Sequence, residues 1–202
     1  MRTTTGVPKW WDAVLTAITD MDGTVVQLLV VSRDVTDRRR EETLRAGQHQ
    51  VLELIATGAP LPAVLDSIVS LVENEAEGMA CTIVLLDDDG STVRHGAAPS
   101  MPEGYLQALQ GLTIGPKAGS CGTAMFRGEP VIVVDVETDL LWEDYRDLAA
   151  RFGFRACWST PIFSPDRKVL GSLAMYYSQP RAPRDAEPVS YTHLTLPTIL
   201  RV

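Results

Sequence analysis

Strand-like runs separated by turn residues dominate the stretch from residue 80 to residue 177, and they constrain the fold more than any other feature. The runs are rich in β-branched and aromatic residues, as strands are. They cover residues 80–86, 92–97, 130–134, 155–163 and 169–177. Short helical stretches fall between them at 102–110, 122–127 and 143–152. Because these helices are inserted irregularly rather than after every strand, we predict an α+β domain built on one mostly antiparallel sheet.

A core-facing helix is predicted before the first of these runs. Gly58 and two nearby prolines interrupt any helix that precedes it. Over residues 63–77 the apolar side chains follow the three-four spacing that buries one face of a helix. They are Val64, Leu65, Ile68, Leu71 and Val72.

The polar segment 37–57 is predicted to be a connector helix. Its residues favour helix, and its sparse apolar face consists of Leu44, Val51, Leu52 and Ile55. A narrow stripe of this kind fits a parallel helix pair that joins two copies in a homodimer. It fits a solvated linker in a monomer equally well. The sequence leaves both interpretations open.

The N-terminal segment has the pattern of a β-hairpin, with strand-like runs at 10–19 and 25–31 around the turn residues 20–23. The stretch from Trp11-Asp12 to Ser32-Arg33-Asp34-Val35-Thr36-Asp37-Arg38-Arg39 resembles the closing strands of a PAS domain and its exit motif. The resemblance implies a truncated PAS domain at 1–36 without its ligand pocket. Asp34 or Thr36 can cap the following helix, so we expect these residues to couple the sheet to that helix.

Several motifs between residues 119 and 177 resemble those of a GAF domain. They include Gly119-Ser120-Cys121-Gly122-Thr123-Ala124, Arg155-Ala156-Cys157-Trp158-Ser159-Thr160-Pro161-Ile162 and Leu170-Gly171-Ser172-Leu173-Ala174-Met175-Tyr176-Tyr177. The likeness covers about residues 48–188. It is greatest to the subtype found in bacterial sensors that end in diguanylate cyclase, cyclic-di-GMP phosphodiesterase or histidine kinase modules. It implies a sheet flanked by helices, with inserted loops that enclose a small-molecule cavity.

These resemblances imply four segments: the PAS hairpin at 1–36, the signalling helix at 37–57, a GAF domain at 58–188 without its terminal helix, and a tail at 189–202. The tail can be encoded by DNA that resembles a transposon adapter used in sequencing libraries, so we interpret it as non-native. We expect a cytoplasmic, non-enzymatic sensory module of a two-component or cyclic-di-GMP signalling protein. Its small-molecule ligand and any cofactor are unknown, and its output domain is absent from this sequence.

Two cysteines suggest an alternative, enzymatic function. Cys121 and Cys157 occupy positions where the resemblance to free methionine-(R)-sulfoxide reductases, which are single GAF domains, implies reactive thiols. That chemistry needs an activated thiolate, a resolving thiol and carboxyl groups near the sulfoxide. The residues after Cys157 and those of the last strand include no carboxylate, and the third cysteine of that family is absent. A redox sensor and buried structural thiols remain further alternatives, as does a structural dimerisation module without a ligand.

Aromatic and polar residues near these cysteines are candidates for lining a ligand cavity. The predicted ligand-binding set is Cys121, Trp142, Tyr145, Cys157, Ser159, Met175 and Tyr177. Strand alternation places Cys157 and Ser159 on the face opposite Trp158. The same alternation separates Met175 and Tyr177 from Tyr176, without indicating which group faces the cavity.

Composition and charge exclude several other classes of function. With 18 Lys and Arg against 26 Asp and Glu, the formal charge is −8, which disfavours binding to nucleic acid or to an anionic membrane. No apolar run reaches the roughly 20 residues that a membrane span needs. Three widely spaced cysteines indicate neither a disulfide framework nor a zinc site. His49 and His95 lack partner ligands, so we predict no metal site.

Overall fold

The structure is a computed structural model that describes residues 9–74, 76 and 78–183. The predicted non-native tail at 189–202 lies outside the described residues. The chain divides into two units, residues 1–47 and residues 48–202.

The first unit contains the predicted hairpin and the start of the connector helix. Strands β1 (Trp11–Thr19) and β2 (Val25–Asp34) pair antiparallel, and helix α1 (Thr36–Ala56) follows. The turn between the strands is stabilised by Asp20, whose carboxylate accepts the backbone N–H groups of Asp22 and Thr24 at 3.0 and 2.9 Å. Every residue of both strands is exposed within this unit, although most of them are apolar.

Hydrogen bonds connect the end of the hairpin to the start of α1. The Asp34 carboxylate accepts the backbone N–H of Thr36 at 3.0 Å, and the Thr36 hydroxyl accepts the backbone N–H of Trp10 at 2.9 Å. The Lys9 ammonium forms an ion pair with Asp34 at 2.7 Å. The Lys9 and Thr36 hydrogen bonds hold the pKa of Asp34 well below its ordinary value. The two residues predicted to cap the helix therefore lie at its N-terminus and bond there.

The second unit has the predicted α+β architecture. Its further helices are α2 (Leu61–Glu73), α3 (Glu103–Leu109), α4 (Gly119–Arg127), a 3-10 helix (Leu140–Tyr145) and α5 (Arg146–Phe152). Its strands are β3 (Met79–Leu86), β4 (Val93–Ala97), β5 (Val131–Val133), β6 (Ala156–Phe163) and β7 (Val169–Tyr177). In the described part of the unit these five strands form one antiparallel sheet of order β4-β3-β7-β6-β5. The predicted fold class is confirmed.

Two helices differ from the sequence prediction in their extent. Helix α4 begins at Gly119 rather than at residue 122, so Cys121 lies in its first turn. The single helix predicted at 143–152 is divided into the 3-10 helix and α5. The 3-10 helix begins after Asp139, whose side chain caps it by accepting the backbone N–H of Leu141 at 2.8 Å, and the division from α5 lies between Tyr145 and Arg146.

The sheet has two covered faces, which we call the α2 face and the loop face. Because side chains alternate along each strand, the α2 face carries Cys81, Ile83, Trp158, Met175 and Tyr177. Helix α2 covers it with six buried apolar residues, Val64, Leu65, Ile68, Val69, Leu71 and Val72. The loop face carries the alternate residues and is covered by α3, α4, the 3-10 helix and α5. The inserted segments thus lie together on one side of the sheet.

One glycine permits the central pairing of this sheet. Gly171 of β7 pairs with Leu85 of β3, and a Cβ atom added to it would meet the carbonyl oxygen of Val84. Backbone cannot move aside as a flexible side-chain end can, so any larger residue would force the two strands apart.

Candidate functional site

The start of helix α4 places Cys121 above the centre of the loop face. Gly119 has a φ of +60°, in the left-handed region that favours glycine, and it lies against the Trp142 and Tyr145 rings. A Cβ at Gly122 would come within 2.6 Å of the Ala118 Cβ, so this position also requires a residue without a side chain. Gly119 therefore provides the backbone conformation at the start of α4, and Gly122 permits its close approach to Ala118, the N-cap of the same helix.

Two thiols on different elements share one hydroxyl group. The Ser159 hydroxyl donates a hydrogen bond to the Cys121 Sγ at 3.4 Å and lies 3.8 Å from the Cys157 Sγ. The Tyr176 hydroxyl is also 3.4 Å from the Cys121 Sγ. Cys157 is fully buried, whereas Cys121 is partly exposed. We call Cys121, Cys157, Ser159 and Tyr176 the thiol cluster.

A chain of hydrogen bonds fixes α4 to the sheet beside the thiol cluster. The Trp142 indole N–H donates to the Ser120 hydroxyl at 2.9 Å, and the Ser120 hydroxyl donates to the Cys157 carbonyl at 3.1 Å. All three residues are buried, so each of these polar groups depends on its partner. This series of hydrogen bonds positions Cys121, which follows Ser120, relative to Cys157.

An aromatic cluster packs against the thiol cluster on the loop face. The Tyr105 ring lies edge-on to Phe152, Phe154 and Tyr176, with centroids 5.4, 5.0 and 5.5 Å apart. Phe154 also contacts the Tyr176 ring at 5.0 Å. These distances lie in the range at which aromatic pairs attract each other beyond simple burial. Most of the space above β6 and β7 at this point is therefore filled by side chains.

The environment separates the acidities of the three cysteines. A hydrogen bond from the Cys157 thiol, with further ones from Ser159 and Tyr176, lowers the pKa of Cys121 to about 7. Burial, and then the hydrogen bond to Cys121, raises the pKa of Cys157 well above its ordinary value. Burial likewise raises the pKa of Cys81 on the α2 face. Of the three cysteines, Cys121 is the one whose pKa is lowered, which favours its thiolate form.

The structure brings together five of the seven residues predicted for the ligand site. Cys121, Trp142, Cys157 and Ser159 lie in or beside the thiol cluster, and the Tyr145 ring lies edge-on to Trp142 at 6.4 Å.

The other two predicted residues, Met175 and Tyr177, do not join this site. Alternation along β7 turns both to the α2 face, where the Tyr177 ring packs on Trp158 at 4.7 Å. The Tyr177 hydroxyl there donates to the Met79 sulfur at 3.2 Å. Their place on the loop face is taken by Tyr176, which pairs with Cys157 across the sheet.

Two residues of the site were not among those predicted. The Tyr176 hydroxyl lies at hydrogen-bond distance from the Cys121 sulfur, and the Ser120 hydroxyl donates a hydrogen bond to the Cys157 backbone carbonyl. The alternation along β7 already grouped Tyr176 apart from Tyr177, so the contact of Tyr176 with Cys121 was the missing information.

The structure offers no cluster suited to a metal ion within residues 9–74, 76 and 78–183. No helix in this described part of the chain combines the length and the hydrophobicity that crossing a membrane requires.

A separate cavity of about 580 Å³ lies away from the thiol cluster. Leu61, Val64, Leu85 and Val169 form apolar parts of its wall. Its rim includes the ion pair between Arg94 and Asp87, whose charged atoms are 3.6 Å apart. None of the four residues of the thiol cluster lines it.

Family models match parts of both units. A GAF domain model matches residues 58–190, and a PAS fold model matches residues 1–40. The first match covers well over half of the chain, and the fold beneath it is that of solved GAF domains. The chain belongs to the GAF domain family.

Individual relatives include sensors and an enzyme. The chain is 38% identical over 154 residues to a methyl sulfide methyltransferase-associated sensor from Methanosarcina acetivorans, covering 76% of this chain but only 15% of that relative. A GAF sensor protein from Burkholderia vietnamiensis has a similar structure, with a TM-score of 0.59, 17% identity and coverage of 78% and 90% of the two chains. A free methionine-R-sulfoxide reductase from Neisseria meningitidis, solved with its substrate, also has a similar structure. Its TM-score is 0.56, its sequence identity is 18%, and the match covers 75% of this chain and 83% of the reductase.

Proposed function

We propose that this chain is the sensory part of a bacterial signalling protein, in which a small-molecule-binding GAF domain is coupled through helices to an output domain. The observation that carries the proposal is helix α1, which runs without a break from Thr36, beside the PAS-like hairpin, to Ala56, just before the GAF match begins. A helix is stiff over this length, so a change at one end can alter the other. The sensor-named relative supports the same role.

The segments of the chain have separate roles in this proposal. Residues 1–36 are the end of a PAS domain, 37–57 the signalling helix, 58–188 the GAF domain and 189–202 a non-native tail. Asp34 and Thr36 pass movement of the hairpin to α1, since their hydrogen bonds link both. In the complete protein the connector helices pair in a cytoplasmic homodimer, and the output is cyclic-di-GMP turnover or a histidine kinase.

The loop face is the proposed ligand site of the GAF domain. It presents hydroxyl and thiol groups of Cys121, Ser159 and Tyr176 among aromatic side chains, a combination typical of small-molecule sites. Trp142 and Tyr145 form its border under α4. Entry of a ligand would require α4 or the 3-10 helix to move, because aromatic side chains occupy the space. Such a movement is a direct means of signalling.

Ligand binding can be tested by thermal unfolding against a panel of cyclic nucleotides, amino acids and sulfoxides. A compound that raises the midpoint for the wild type should lose that effect in Ser159→Ala. It should keep the effect in Met175→Leu, a matched change on the α2 face. A ligand that stabilises both variants equally would place the binding site elsewhere and contradict this proposal.

A sulfoxide reductase is the second candidate, and the proximity of Cys121 to Cys157 favours it. A reductase with the same fold, solved with its substrate, adds support. One observation argues against this activity: strands β6 and β7 contain no Asp or Glu whose carboxylic acid could protonate a sulfoxide oxygen. Turnover of free methionine-(R)-sulfoxide with a thiol reductant, abolished by Cys157→Ser, would establish this activity in place of the first proposal.

A further inference from the structure

We propose that Cys121 and Cys157 form an oxidation site: a hydroperoxide oxidises Cys121, and Cys157 then closes an intramolecular disulfide that joins α4 to β6. This inference rests on the proposed sensory function only for its signalling consequence. The thiol chemistry itself stands or falls on the geometry of the thiol cluster.

The two sulfur atoms lie near the same hydroxyl group. The Cys121 Sγ of α4 is 3.4 Å from the Ser159 hydroxyl, and the Cys157 Sγ, on the same strand as Ser159, is 3.8 Å from it. The residue next to Cys121 is already hydrogen-bonded to the Cys157 backbone at 3.1 Å, so α4 and β6 are in direct contact here. A disulfide needs the sulfurs at about 2 Å, so its formation requires the Ser159 hydroxyl to turn away and the two thiol side chains to rotate toward each other.

The surroundings assign different roles to the two thiols. Cys121 is partly exposed, lies in the first turn of α4, and has its pKa lowered to about 7, so a large fraction is thiolate near neutral pH. Cys157 is fully buried with a raised pKa, so it stays a thiol until its neighbour is oxidised. Cys121 is therefore the attacking residue and Cys157 the resolving one.

The reaction balances with the hydroperoxide as the only oxidant. The Cys121 thiolate attacks the peroxide oxygen, the O–O bond breaks, and the released alkoxide or hydroxide takes up a proton to leave as alcohol or water. Cys121 is then a sulfenic acid. The Cys157 sulfur attacks the Cys121 sulfur, the S–O bond breaks, and water leaves with the Cys157 proton. A cellular dithiol reverses the step by thiol–disulfide exchange.

The third cysteine is an internal control. Cys81 is fully buried on the α2 face, paired in register with Met175, and its pKa is raised by burial. The sequence also separates the three residues for analysis, because trypsin cuts after lysine and arginine. Cys81, Cys121 and Cys157 fall in the distinct tryptic peptides 46–94, 118–127 and 156–167.

The test is peptide mapping of the full chain after hydrogen peroxide treatment and alkylation of the remaining thiols. We expect a peptide pair 118–127/156–167 that has lost two hydrogens and separates again in dithiothreitol, while the Cys81 peptide stays alkylated. Separate, alkylated peptides for Cys121 and Cys157, a link to Cys81 or a link between two chains would each overturn the proposal.

Two variants add a second line of measurement. Cys157→Ser should stop the reaction at the sulfenic acid, trapped by dimedone on peptide 118–127, whereas Cys121→Ser should abolish dimedone labelling of both peptides. Dimedone labelling of peptide 156–167 in Cys121→Ser would contradict the assigned roles.

Two further measurements, hydrogen exchange of α1 before and after oxidation and ligand binding to the reduced protein, distinguish this inference from the proposed function. A disulfide that forms without changing hydrogen exchange in α1 would confirm the thiol chemistry and contradict its role in signalling. Reversible ligand binding without any disulfide would refute this inference and leave the proposed function standing.

Discussion

Cys81 and Cys157 are both fully buried in the same sheet, yet the two faces give them different chemistry. Cys81 lies on the α2 face, where aliphatic side chains of α2 pack and the Glu73 carboxylate accepts the backbone N–H of Cys81 at 2.7 Å. Cys157 lies on the loop face, where hydroxyl, thiol and indole groups bond one another. Burial alone therefore does not determine the role of a thiol in this fold. The α2 face supplies stability, and the loop face supplies polar groups that can respond to a ligand or an oxidant.

The largest expected effect tests the stabilising role of the α2 face. Leu65→Ala removes a buried side chain of α2 and should lower the free energy of unfolding by about 2–5 kcal/mol, as large-to-small core changes do. Leu61→Ala, in the exposed first turn of the same helix, is the matched control and should cost about 0.5 kcal/mol or less. Urea unfolding measures both. Equal losses would mean that α2 does not act as the main cover of this face.

The second prediction concerns the loop face after oxidation. A bond between Cys121 and Cys157 closes a loop of about 36 residues, which the chain-entropy model values at about 4 kcal/mol of stability. Oxidised wild-type protein should therefore unfold at higher urea concentration than the reduced form. Cys121→Ser treated in the same way should show no shift. A lower midpoint after oxidation would indicate that the bond strains α4.

The third prediction compares two buried tryptophans on opposite faces. Trp142→Phe removes the N–H that bonds the buried Ser120 hydroxyl, at a cost of about 1–2 kcal/mol. Trp158→Phe removes the N–H that bonds the half-buried Arg181 carbonyl, at a cost of about 1 kcal/mol or less because water can replace the donor. Only Trp142→Phe should alter the alkylation rate of Cys121. An equal change in both variants would remove the distinction between the faces.

The smallest effect is a pH dependence of the thiols. The alkylation rate of Cys121 should rise to half its maximum near pH 7, where its lowered pKa lies, while Cys81 reacts only after unfolding. The pKa of Cys121 lies below its ordinary 9.0, so its thiolate adds stability as pH rises from about 7 to 9. The raised pKa values of Cys81 and Cys157 remove stability above pH 9. Half-maximal alkylation near pH 9 would contradict the role of the thiol cluster.

Much of the fold followed from local patterns in the sequence. The five strands of the second unit, the hairpin and the connector helix were predicted because alternation, turn residues and helix-favouring runs are local properties. The shared face of Cys157 and Ser159 followed from alternation along a single strand.

The site itself depended on contacts that no local pattern contains. Cys121 and Cys157 meet only because α4 packs on β6, and Tyr176 rather than Tyr177 faces them because of how β7 pairs with its neighbours. Alternation separated Tyr176 from Tyr177 but could not say which face the inserted helices would cover. The predicted set therefore included Met175 and Tyr177, which lie on the other side of the sheet from Cys121, Cys157 and Ser159.

The close approach at Gly171 has a consequence for comparing this chain with distant relatives. Any side chain there would collide with the backbone of the neighbouring strand, whatever ligand or output the protein has. Among aligned sequences with the same strand pairing, this position should stay glycine even where both cysteines are lost. It therefore provides a fixed reference point for aligning divergent members, from which the residues at the positions of Tyr176 and Cys157 can be counted.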